Sequence, residues 1–420
     1  MNTATTDIFE TLESDVCTYC RAWPTVFDQA EGSWLFDEDG RAYLDFFAGA
    51  GALNYGHNDP ALKEALLDYL GTARVIHSLD MRTTAKREFL MAFDEFVLRP
   101  RQLSYHVQFP GPTGTNAVEA ALKLARKVNG RAQVLSFTNG FHGMTLGSLS
   151  VTGNQFHRNA AGIPLTNATP LPYDDPSTSA ATDFSWLRRL LDDPGSGMDR
   201  PAAIIVETVQ GEGGINVARP EWLRGLADLC QQHDVLLIVD DVQMGCGRTG
   251  PFFSFELAGI VPDIVCLSKS LSGFGLPMAM NLIRPDIDIW SPGEHNGTFR
   301  GHNPAFVTAT AALRRYWADD SLSKATEAKG SQIATALAEL AQTVPGAPTV
   351  PRGRGMARGL AFSSGDLAQR VATAAFEHGL LVETAGSRGQ VVKIMPPLTI
   401  TDDELEKGLS LLGDAVRAAA

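Results

Sequence analysis

Four short, almost continuously apolar runs alternate with helical segments in the middle of this 420-residue chain. A strand that is apolar on both faces has to be covered on both faces, which is the condition of a parallel sheet between layers of helices. The four runs are Gln133–Phe137, Ala202–Thr208, Val235–Asp241 and Asp263–Leu267. Between two of them, Pro220–His233 begins with proline and has one apolar face, which predicts an amphipathic helix. The pattern therefore predicts an α/β fold with a mainly parallel sheet.

The sequence on either side of this region has a different texture. Ala-rich helical segments follow at Ala305–Trp317 and Ser321–Leu340, and a Pro/Gly/Arg-rich link at 345–359 leads into short strands. Near the N-terminus, residues alternate around Asp39-Gly40, which predicts a hairpin that packs with the C-terminal part. Residues 170–200 are rich in Pro and Asp, which predicts a loop–helix–loop insertion at the surface.

These changes of texture predict three parts in the chain. The first is an N-terminal segment that packs with the small domain, the second is a large domain that contains the sheet, and the third is a smaller C-terminal α+β domain. Their expected bounds are residues 1–50, 51–304 and 305–420. The sequence contains no internal repeat and no low-complexity tract, so the repeat architectures are not expected.

The composition argues against several classes of function. A formal net charge of −13, from 48 acidic and 35 basic residues, disfavours a nucleic-acid or anionic-membrane surface. No apolar stretch reaches the length of a membrane span, and Met1–Asp15 has acidic but no basic side chains, unlike a targeting peptide. The odd number of scattered cysteines is typical of a reduced cytoplasmic protein. Cys17 and Cys20 have CxxC spacing without a second Cys/His pair, so no metal site is expected.

Lys269 closes the last of the four apolar runs and leads into a Gly/Ser-rich turn. A lysine at a strand end most often extends its amine into solvent. An amine that is partly desolvated there has a lowered pKa, which suits it to form a Schiff base with an aldehyde. Lys269 alone does not decide between these two interpretations.

Other strand ends carry residues that suit one ligand. Gly114, Thr115 and Asn116 begin a helix whose cap and free N–H groups would attract a phosphate, with Thr115 or Asn116 as the cap. Phe141 can stack on a flat heterocycle. Asp240 or Asp241 would lie at the carboxyl edge of the sheet, where a carboxylate keeps a pyridine nitrogen protonated. With Lys269, this set indicates pyridoxal 5′-phosphate.

A second glycine-rich segment is a false lead. Gly49-Ala50-Gly51 follows an apolar run and half resembles a dinucleotide fingerprint, which needs a third glycine three residues later. That position is Asn54, and the stretch from Gly56 to Pro60 would break the helix that the fingerprint requires. We therefore expect no dinucleotide site there.

In their order, five motifs resemble those of the class III (ω-amino acid) aminotransferases of pyridoxal-phosphate fold type I. The motifs are Gly114–Asn116, Phe141–Gly143, Glu207–Gly214, Asp240–Gln243 and Ser268-Lys269, and Gly297–Pro304 matches a sixth. The resemblance implies a large domain with a mainly parallel seven-stranded sheet plus a smaller α+β domain. It also implies a homodimer with two shared active sites, in which Thr298 reaches the cofactor phosphate of the neighbouring subunit.

The resemblance assigns roles to individual residues. It makes Lys269 the Schiff-base lysine, selects Asp240 over Asp241, and places Gln243 at the ring hydroxyl. The cofactor contacts that it implies are Gly114, Thr115, Asn116, Phe141, His142, Glu207, Asp240, Gln243, Lys269 and Thr298.

Long matching runs, such as Asp45–His57 and Gln108–Ala117, are most similar to the branch of the family that acts on diaminobutyrate in ectoine biosynthesis. Two positions depart from other branches. Met144 stands where ornithine and γ-aminobutyrate aminotransferases have a carboxylate-binding Arg, and Lys393 stands where relatives have the Arg that pairs with the second Glu of the Glu207–Glu212 motif. We therefore expect Glu212 to pair with Lys393, or alternatively with Arg388. Tyr19 and Trp23 are further candidates for substrate contact, as part of a lid.

The implied reaction transfers the amino group of L-glutamate to L-aspartate 4-semialdehyde and gives 2-oxoglutarate and L-2,4-diaminobutyrate. Lys269, Asp240 and Glu212 would be its catalytic residues. Three alternatives remain at this point. They are another ω-amino acid aminotransferase, an aminomutase or racemase on the same fold, and a binding protein with a degenerate site.

Overall fold

The structure of the protein is a computed structural model that describes residues 8–175, 184–343 and 349–419. Over these residues, the strands are β1 (Phe27–Glu31), β2 (Trp34–Asp37), β3 (Ala42–Asp45), β4 (His106–Gln108), β5 (Val134–Phe137), β6 (Ala168–Leu171), β7 (Ala203–Val206), β8 (Val209–Gln210), β9 (Asn216–Val217), β10 (Leu236–Asp240), β11 (Ile264–Leu267), β12 (Met280–Ile283), β13 (Val350–Arg354), β14 (Ala357–Ala361), β15 (Leu380–Leu381), β16 (Glu383–Ala385) and β17 (Val391–Ile394).

The helices over the same residues are α1 (Ile8–Leu12), α2 (Tyr19–Ala22), α3 (Ala48–Gly51), α4 (Pro60–Leu70), α5 (Thr84–Phe93), α6 (Gly114–Asn129), α7 (Leu146–Val151), α8 (Gln155–Asn159), α9 (Ser185–Asp192), α10 (Pro220–Gln232), α11 (Asn303–Tyr316), α12 (Ser321–Thr343), α13 (Gly365–Glu377) and α14 (Asp402–Ala419). None of these helices is both long enough and apolar enough to span a membrane.

A seven-stranded sheet lies at the centre, in the order β4-β12-β11-β10-β7-β5-β6. The strand pairs from β11 to β6 are parallel, and β12 alone runs against its two neighbours. This confirms the predicted α/β class and the mainly parallel sheet. The four apolar runs form β5, β7, β10 and β11, each shorter than its run because the polar or turn residues at the ends leave the ladder.

Three strands of this sheet were not predicted. Strand β6 overlaps the start of the expected loop–helix–loop insertion and contains Pro170. Proline cannot donate to a ladder, so it is tolerated at the edge of a sheet, and β6 is an edge strand. Strands β4 and β12 form the other edge. In the rest of the insertion, α9 is present, and residues 176–183 lie outside the described residues.

The two faces of the sheet pack against different helices, and this decides which way strand-end side chains point. In β10, Leu236 and Ile238 belong to the apolar cluster that contains α6. Leu237 and Val239 belong to the cluster that contains α10. Because side chains alternate along a strand, Asp240 faces the α6 side and the residue after it faces away.

The N-terminal strands join residues from the far end of the chain. Strands β2 and β3 form a hairpin across Asp39-Gly40, and Gly40 has the positive φ of 79° that such a turn favours. Strand β3 then pairs in parallel with β15, so that the four-stranded sheet has the order β1-β2-β3-β15. A second four-stranded sheet, β13-β14-β17-β16, is built from C-terminal residues alone. Residues 1–7 of the N-terminal segment and 345–348 of the Pro/Gly/Arg-rich link lie outside the described residues.

Candidate active site

A cavity of about 460 Å³ opens at the carboxyl edge of the central sheet, beside the first turn of α6. This is the size and position that small-molecule sites have in open α/β folds. Nine of the residues proposed from the sequence line it: Gly114, Thr115, Phe141, His142, Glu207, Glu212, Asp240, Gln243 and Lys269. The apolar part of the lining includes Val242 and Met278, which the sequence analysis did not single out.

Asp240 points into the cavity and its neighbour Asp241 does not. Asp240 Oδ2 lies 2.7 Å from Nδ1 of His142, which is buried. Burial alone would lower the pKa of His142, but the hydrogen bond to Asp240 and its charge raise it above its ordinary value. Asp241 accepts a hydrogen bond from the Ser254 N–H on the other face, and burial raises its pKa to about 7. Of this pair, therefore, only Asp240 places its carboxyl group in the cavity.

Lys269 lies two residues after β11 and has a φ of +52°, a left-handed conformation that is costly for a lysine. Its Nζ donates to the carbonyl oxygen of Ala50 at 2.8 Å. Burial lowers the pKa of Lys269, against the opposing charge of Glu212. A half-buried amine whose direct partner is a neutral carbonyl is suited to Schiff-base chemistry.

The Ala50 carbonyl is held by an unusual turn that the sequence analysis did not foresee. The short element α3 has left-handed backbone at all four residues, with φ of +50°, +59°, +55° and +83° from Ala48 to Gly51. Besides Lys269, the Ala50 oxygen accepts from Nε2 of Gln243 at 2.9 Å. The glycine-rich segment that was rejected as a dinucleotide site therefore contributes a backbone oxygen to this cavity.

At the opposite side of the cavity, α6 begins with a capping box that corrects one expectation. Thr113 is the N-cap, and Oδ1 of Asn116, at the third helical position, accepts a hydrogen bond from the Thr113 N–H. We had expected Thr115 or Asn116 to be the cap. Asn116 is engaged in this box, whereas Thr115 lies in the first turn, with its hydroxyl 2.7 Å from that of Thr145.

The first turn of α6 can accept an anion. The leading N–H groups of a helix have no intrahelical acceptor and carry the positive end of the helix dipole. Here these groups belong to Gly114 and Thr115, which line the cavity. A Cβ at position 114 would lie 2.8 Å from Cγ1 of Val242, so that glycine alone permits this close approach.

Glu207 lines the same cavity as Asp240. It follows β7, and its Oε2 accepts from the Phe141 N–H at 2.9 Å, which fixes the segment that carries Phe141 and His142. Burial raises the pKa of Glu207 to about 8, with His142 acting in the opposite direction. Glu207 is therefore neutral near pH 7.

The cavity has another end at Glu212, which forms an ion cluster with Lys393 and Glu383, two residues that do not line the cavity. Lys393 Nζ lies 2.5 Å from Glu212 Oε1 and 2.5 Å from Glu383 Oε1, and only 1% of its side chain is exposed. Burial alone would raise the pKa of Glu212, but Lys393 and Lys269 lower it to about 2. Arg388, the alternative partner, is exposed. Glu383 was missed, although it is the direct cross-strand partner of Lys393 between β16 and β17.

Two aromatic residues proposed as substrate contacts lie next to this ion cluster. The Tyr19 hydroxyl is 3.4 Å from Glu383 Oε2, and burial together with the Glu383 charge raises its pKa. Tyr19 and Trp23 stack with ring centroids 5.7 Å apart, and both contact Phe47. The pair thus packs over the segment that leads into α3 and does not itself line the cavity.

Thr298 is not part of the cavity in this chain. It is exposed, and its carbonyl oxygen accepts from Nε2 of His77 at 2.7 Å. Exposed apolar side chains lie next to these two residues: Ile76 and Leu79 are close to His77 in the sequence, and Phe299 follows Thr298. Met144 does line the cavity.

The residues present fit pyridoxal 5′-phosphate. The cavity joins a helix N-terminus that suits a phosphate, a buried carboxylate that suits a ring nitrogen, and an amine of lowered pKa that suits an aldehyde. The apolar side chains of Phe141 and Val242 complete the lining between these groups.

The model of the aminotransferase class-III family matches residues 19–416. The chain belongs to the class III aminotransferases. It is therefore a pyridoxal-phosphate-dependent aminotransferase, as the motifs predicted, and this confirms the family resemblance.

Relatives of this class III aminotransferase extend over nearly the whole chain. A diaminobutyrate–2-oxoglutarate transaminase of Nocardia farcinica is 63% identical, covering 99% of this chain and 95% of the relative. A protein of the same name from Streptomyces avermitilis is 62% identical and covers 98% of both chains. A third, from Halalkalibacterium halodurans, is 56% identical over 98% of this chain and 96% of the relative.

Solved structures of other aminotransferases share the fold. The ornithine aminotransferase of Toxoplasma gondii superimposes with a TM-score of 0.84 at 28% identity, covering 98% of this chain and 93% of that one. The acetylornithine aminotransferase of Elizabethkingia anophelis gives 0.78 at 25% identity, with 98% and 97% covered. This confirms the predicted fold type I architecture.

Proposed function

We propose that this class III aminotransferase transfers the amino group of L-glutamate to L-aspartate 4-semialdehyde, giving 2-oxoglutarate and L-2,4-diaminobutyrate in the ectoine pathway. The observation that carries the proposal is the 54–63% identity, over nearly the full length, to relatives named diaminobutyrate–2-oxoglutarate transaminase. Met144 supports it further, because a methionine cannot pair with a carboxylate as the Arg of the ornithine and γ-aminobutyrate branches would.

The cofactor of this reaction would be pyridoxal 5′-phosphate, held by the residues that line the cavity. When bound, it supplies an aldehyde that condenses with amines and a ring that accepts an electron pair. Gly114 and Thr115 would hold its phosphate, Phe141 its ring, and Asp240 the proton on its ring nitrogen. Lys269 Nζ would form the covalent link, and after its displacement by the substrate amine would move a proton from the substrate carbon to the cofactor.

The two substrates present different ends to one cavity. Glutamate reacts at its α-amine, whereas diaminobutyrate is formed at its terminal amine, so that their carboxylates have to lie in different places. The ion pair of Glu212 and Lys393 would serve both, if it opens for the glutamate carboxylate and closes for the semialdehyde. The pair is suited to this because Glu212 is half-buried and accepts a second hydrogen bond from Gln243, at 3.0 Å.

The working unit would be a homodimer with shared active sites. Thr298 is exposed and flanked by the exposed ring of Phe299, and the proposal places both at the partner subunit. There the Thr298 hydroxyl would donate a hydrogen bond to the cofactor phosphate. Sedimentation of the purified protein at micromolar concentration tests this, because a stable monomer with full activity would contradict it.

A product assay tests the reaction. Purified, cofactor-loaded protein would be given L-glutamate with L-aspartate 4-semialdehyde, and in parallel 2-oxoglutarate with ornithine or 4-aminobutyrate. We expect L-2,4-diaminobutyrate as the main product, and turnover of ornithine and 4-aminobutyrate alone would reject the proposal. Reversed turnover of L-2,4-diaminobutyrate should require 2-oxoglutarate, whereas an aminomutase or racemase needs no external acceptor.

A further inference from the structure

The ion cluster of Lys393, Glu212 and Glu383 contains one more carboxylate than it has cations. Among the described residues, Lys393 is the only cation within ion-pair distance of either carboxylate. The Glu383 side chain is 11% exposed, so water screens its charge poorly. Burial and the neighbouring Glu212 raise the pKa of Glu383, although Lys393 opposes the shift. A second cation that arrived here would therefore be stabilised.

The other groups around Glu383 do not supply that second cation. Tyr19 offers a neutral hydroxyl to Oε2 at 3.4 Å, and the amide of Gln243 is used on Glu212 and Ala50. Lys269 Nζ donates to the Ala50 carbonyl. Its pKa nevertheless responds to the charges of Glu212, Lys393 and Glu383, so the field of the cluster reaches the reacting end of the cavity.

The substrates of the proposed reaction differ in the charge of the end that does not react. L-Aspartate 4-semialdehyde and L-2,4-diaminobutyrate carry an α-ammonium and an α-carboxylate there, whereas the corresponding end of glutamate carries a carboxylate alone. A neutral pair of Lys393 and Glu212 would favour neither kind of end. A cluster with one extra carboxylate favours the end that brings an ammonium group.

We propose that Glu383 is a specificity-determining residue, whose charge selects substrates with an ammonium group at the non-reacting end. This rests on the proposed function, since it concerns the semialdehyde side of that reaction. Glu383 acts through the ion cluster, because it contacts Lys393, which contacts Glu212, and does not itself line the cavity. The negative charge of the ion cluster thus distinguishes a substrate whose non-reacting end carries an ammonium group and a carboxylate from one whose end carries a carboxylate alone.

Two amine donors isolate this effect, because L-2,4-diaminobutyrate and 4-aminobutyrate differ only by the α-ammonium group. Initial rates with 2-oxoglutarate would be measured for the loaded enzyme and for Glu383→Gln, which removes the charge and keeps the shape. We expect kcat/KM for diaminobutyrate to fall by about tenfold, mainly through KM, and that for 4-aminobutyrate to stay the same or rise. Where turnover of 4-aminobutyrate is too slow, its inhibition constant against diaminobutyrate gives the same comparison.

Two further variants separate charge from structure. Glu383→Asp keeps the charge and should keep most of the preference. Glu377→Gln makes the same chemical change at an exposed glutamate and should change neither donor. Thermal unfolding of each variant shows whether it is folded.

Equal losses for both donors, or no loss for either, would overturn the inference, since a residue that merely holds Lys393 in place affects both alike. Failure of the proposed function has a different signature. In that case the unaltered enzyme would not use diaminobutyrate, and ornithine with 5-aminopentanoate, which differ by the same ammonium group, would still test Glu383.

Discussion

The two ends of the cavity hold their charges in different ways. At the end near α6, Asp240 is hydrogen-bonded to His142. Burial raises the pKa of Glu207 to about 8, so that Glu207 is neutral near pH 7. At the other end, Glu212 and Glu383 share Lys393. An end whose charges are paired or neutral suits a cofactor that stays bound. An end with one carboxylate in excess responds to the charge of the substrate that binds there. We therefore expect substitutions at the first end to alter cofactor chemistry and substitutions at the second end to alter substrate choice.

Among substitutions in the cavity, Lys269→Ala should cause the largest loss of activity. Loss of the amine removes both the covalent link and the proton carrier, so we expect kcat to fall by about 10⁴-fold. The visible absorbance of enzyme-bound cofactor should also lose the band of the lysine adduct. A far-ultraviolet circular dichroism spectrum identical to that of the unaltered protein is the control, and a variant with substantial turnover would contradict the role.

Asp240→Asn comes next, with Asp241→Asn as its matched control. The first change removes the carboxyl group that is paired with His142 in the cavity, and we expect kcat/KM to fall by about 10³-fold. Asp241 lies on the other face of the sheet, and its pKa is raised to about 7. Asp241→Asn should therefore lower activity by less than about threefold. Similar losses for both would mean that the alternation of β10 does not decide the role.

Glu212→Gln tests the unbalanced end. The change removes the Glu212 carboxylate, which in the proposed reaction has to separate from Lys393 when glutamate binds. It also weakens the contact between residue 212 and Lys393 that is proposed to remain formed when the semialdehyde binds. We expect the half-reaction with semialdehyde to slow by about 30-fold and the glutamate half-reaction by less than about threefold. Single-turnover absorbance changes measure the two separately. Equal losses would count against an ion pair that opens for one substrate.

The smallest effect concerns the pH dependence of stability. The folded pKa of Glu207 is raised to about 8, so the unfolded chain releases this proton first and Glu207 destabilises the fold increasingly from about pH 4.5 to 8. Glu212, with a pKa lowered to about 2, acts in the opposite sense, and its contribution is lost as the pH falls from about 4.5 to 2.

Glu207→Gln should therefore raise the melting temperature at pH 8 more than at pH 5, by about 3 °C. Melting curves of the apo form at both pH values measure this, so that the cofactor does not contribute. A gain that is the same at both pH values would show that packing, and not ionisation, is responsible.

Much of the cofactor end could be predicted from the sequence, because it follows from the period of a strand. Strand β10 places Asp240 on the same face as Leu236 and Ile238, and the apolar runs fixed four of the seven central strands. The cap was misplaced because a Thr-x-x-Asn signal begins at Thr113, two residues before Thr115. Strand β6 was missed because Pro170 argues against any central strand.

The substrate end was predicted only in part. Glu212 and Lys393 were found through the family motif, whereas Glu383 depends on the register between β16 and β17, which no apolar period reveals. The Ala50 carbonyl depends on four consecutive left-handed residues, two of which are alanines that disfavour this conformation. Backbone groups of this kind leave no side-chain signature in a sequence.

The pairing of Glu383 with Lys393 across one hairpin has a consequence for how substrate preference is inherited. The two charges lie on adjoining strands that are joined by residues 386–390. An exchange of residues 383–393 between related enzymes would therefore transfer both charges at once. A single-residue insertion in the connection would slip the register and turn one of the charges to the opposite face. Length variation in this loop, and not only replacement of the charged residues, is thus a route by which related enzymes can change the substrate they accept.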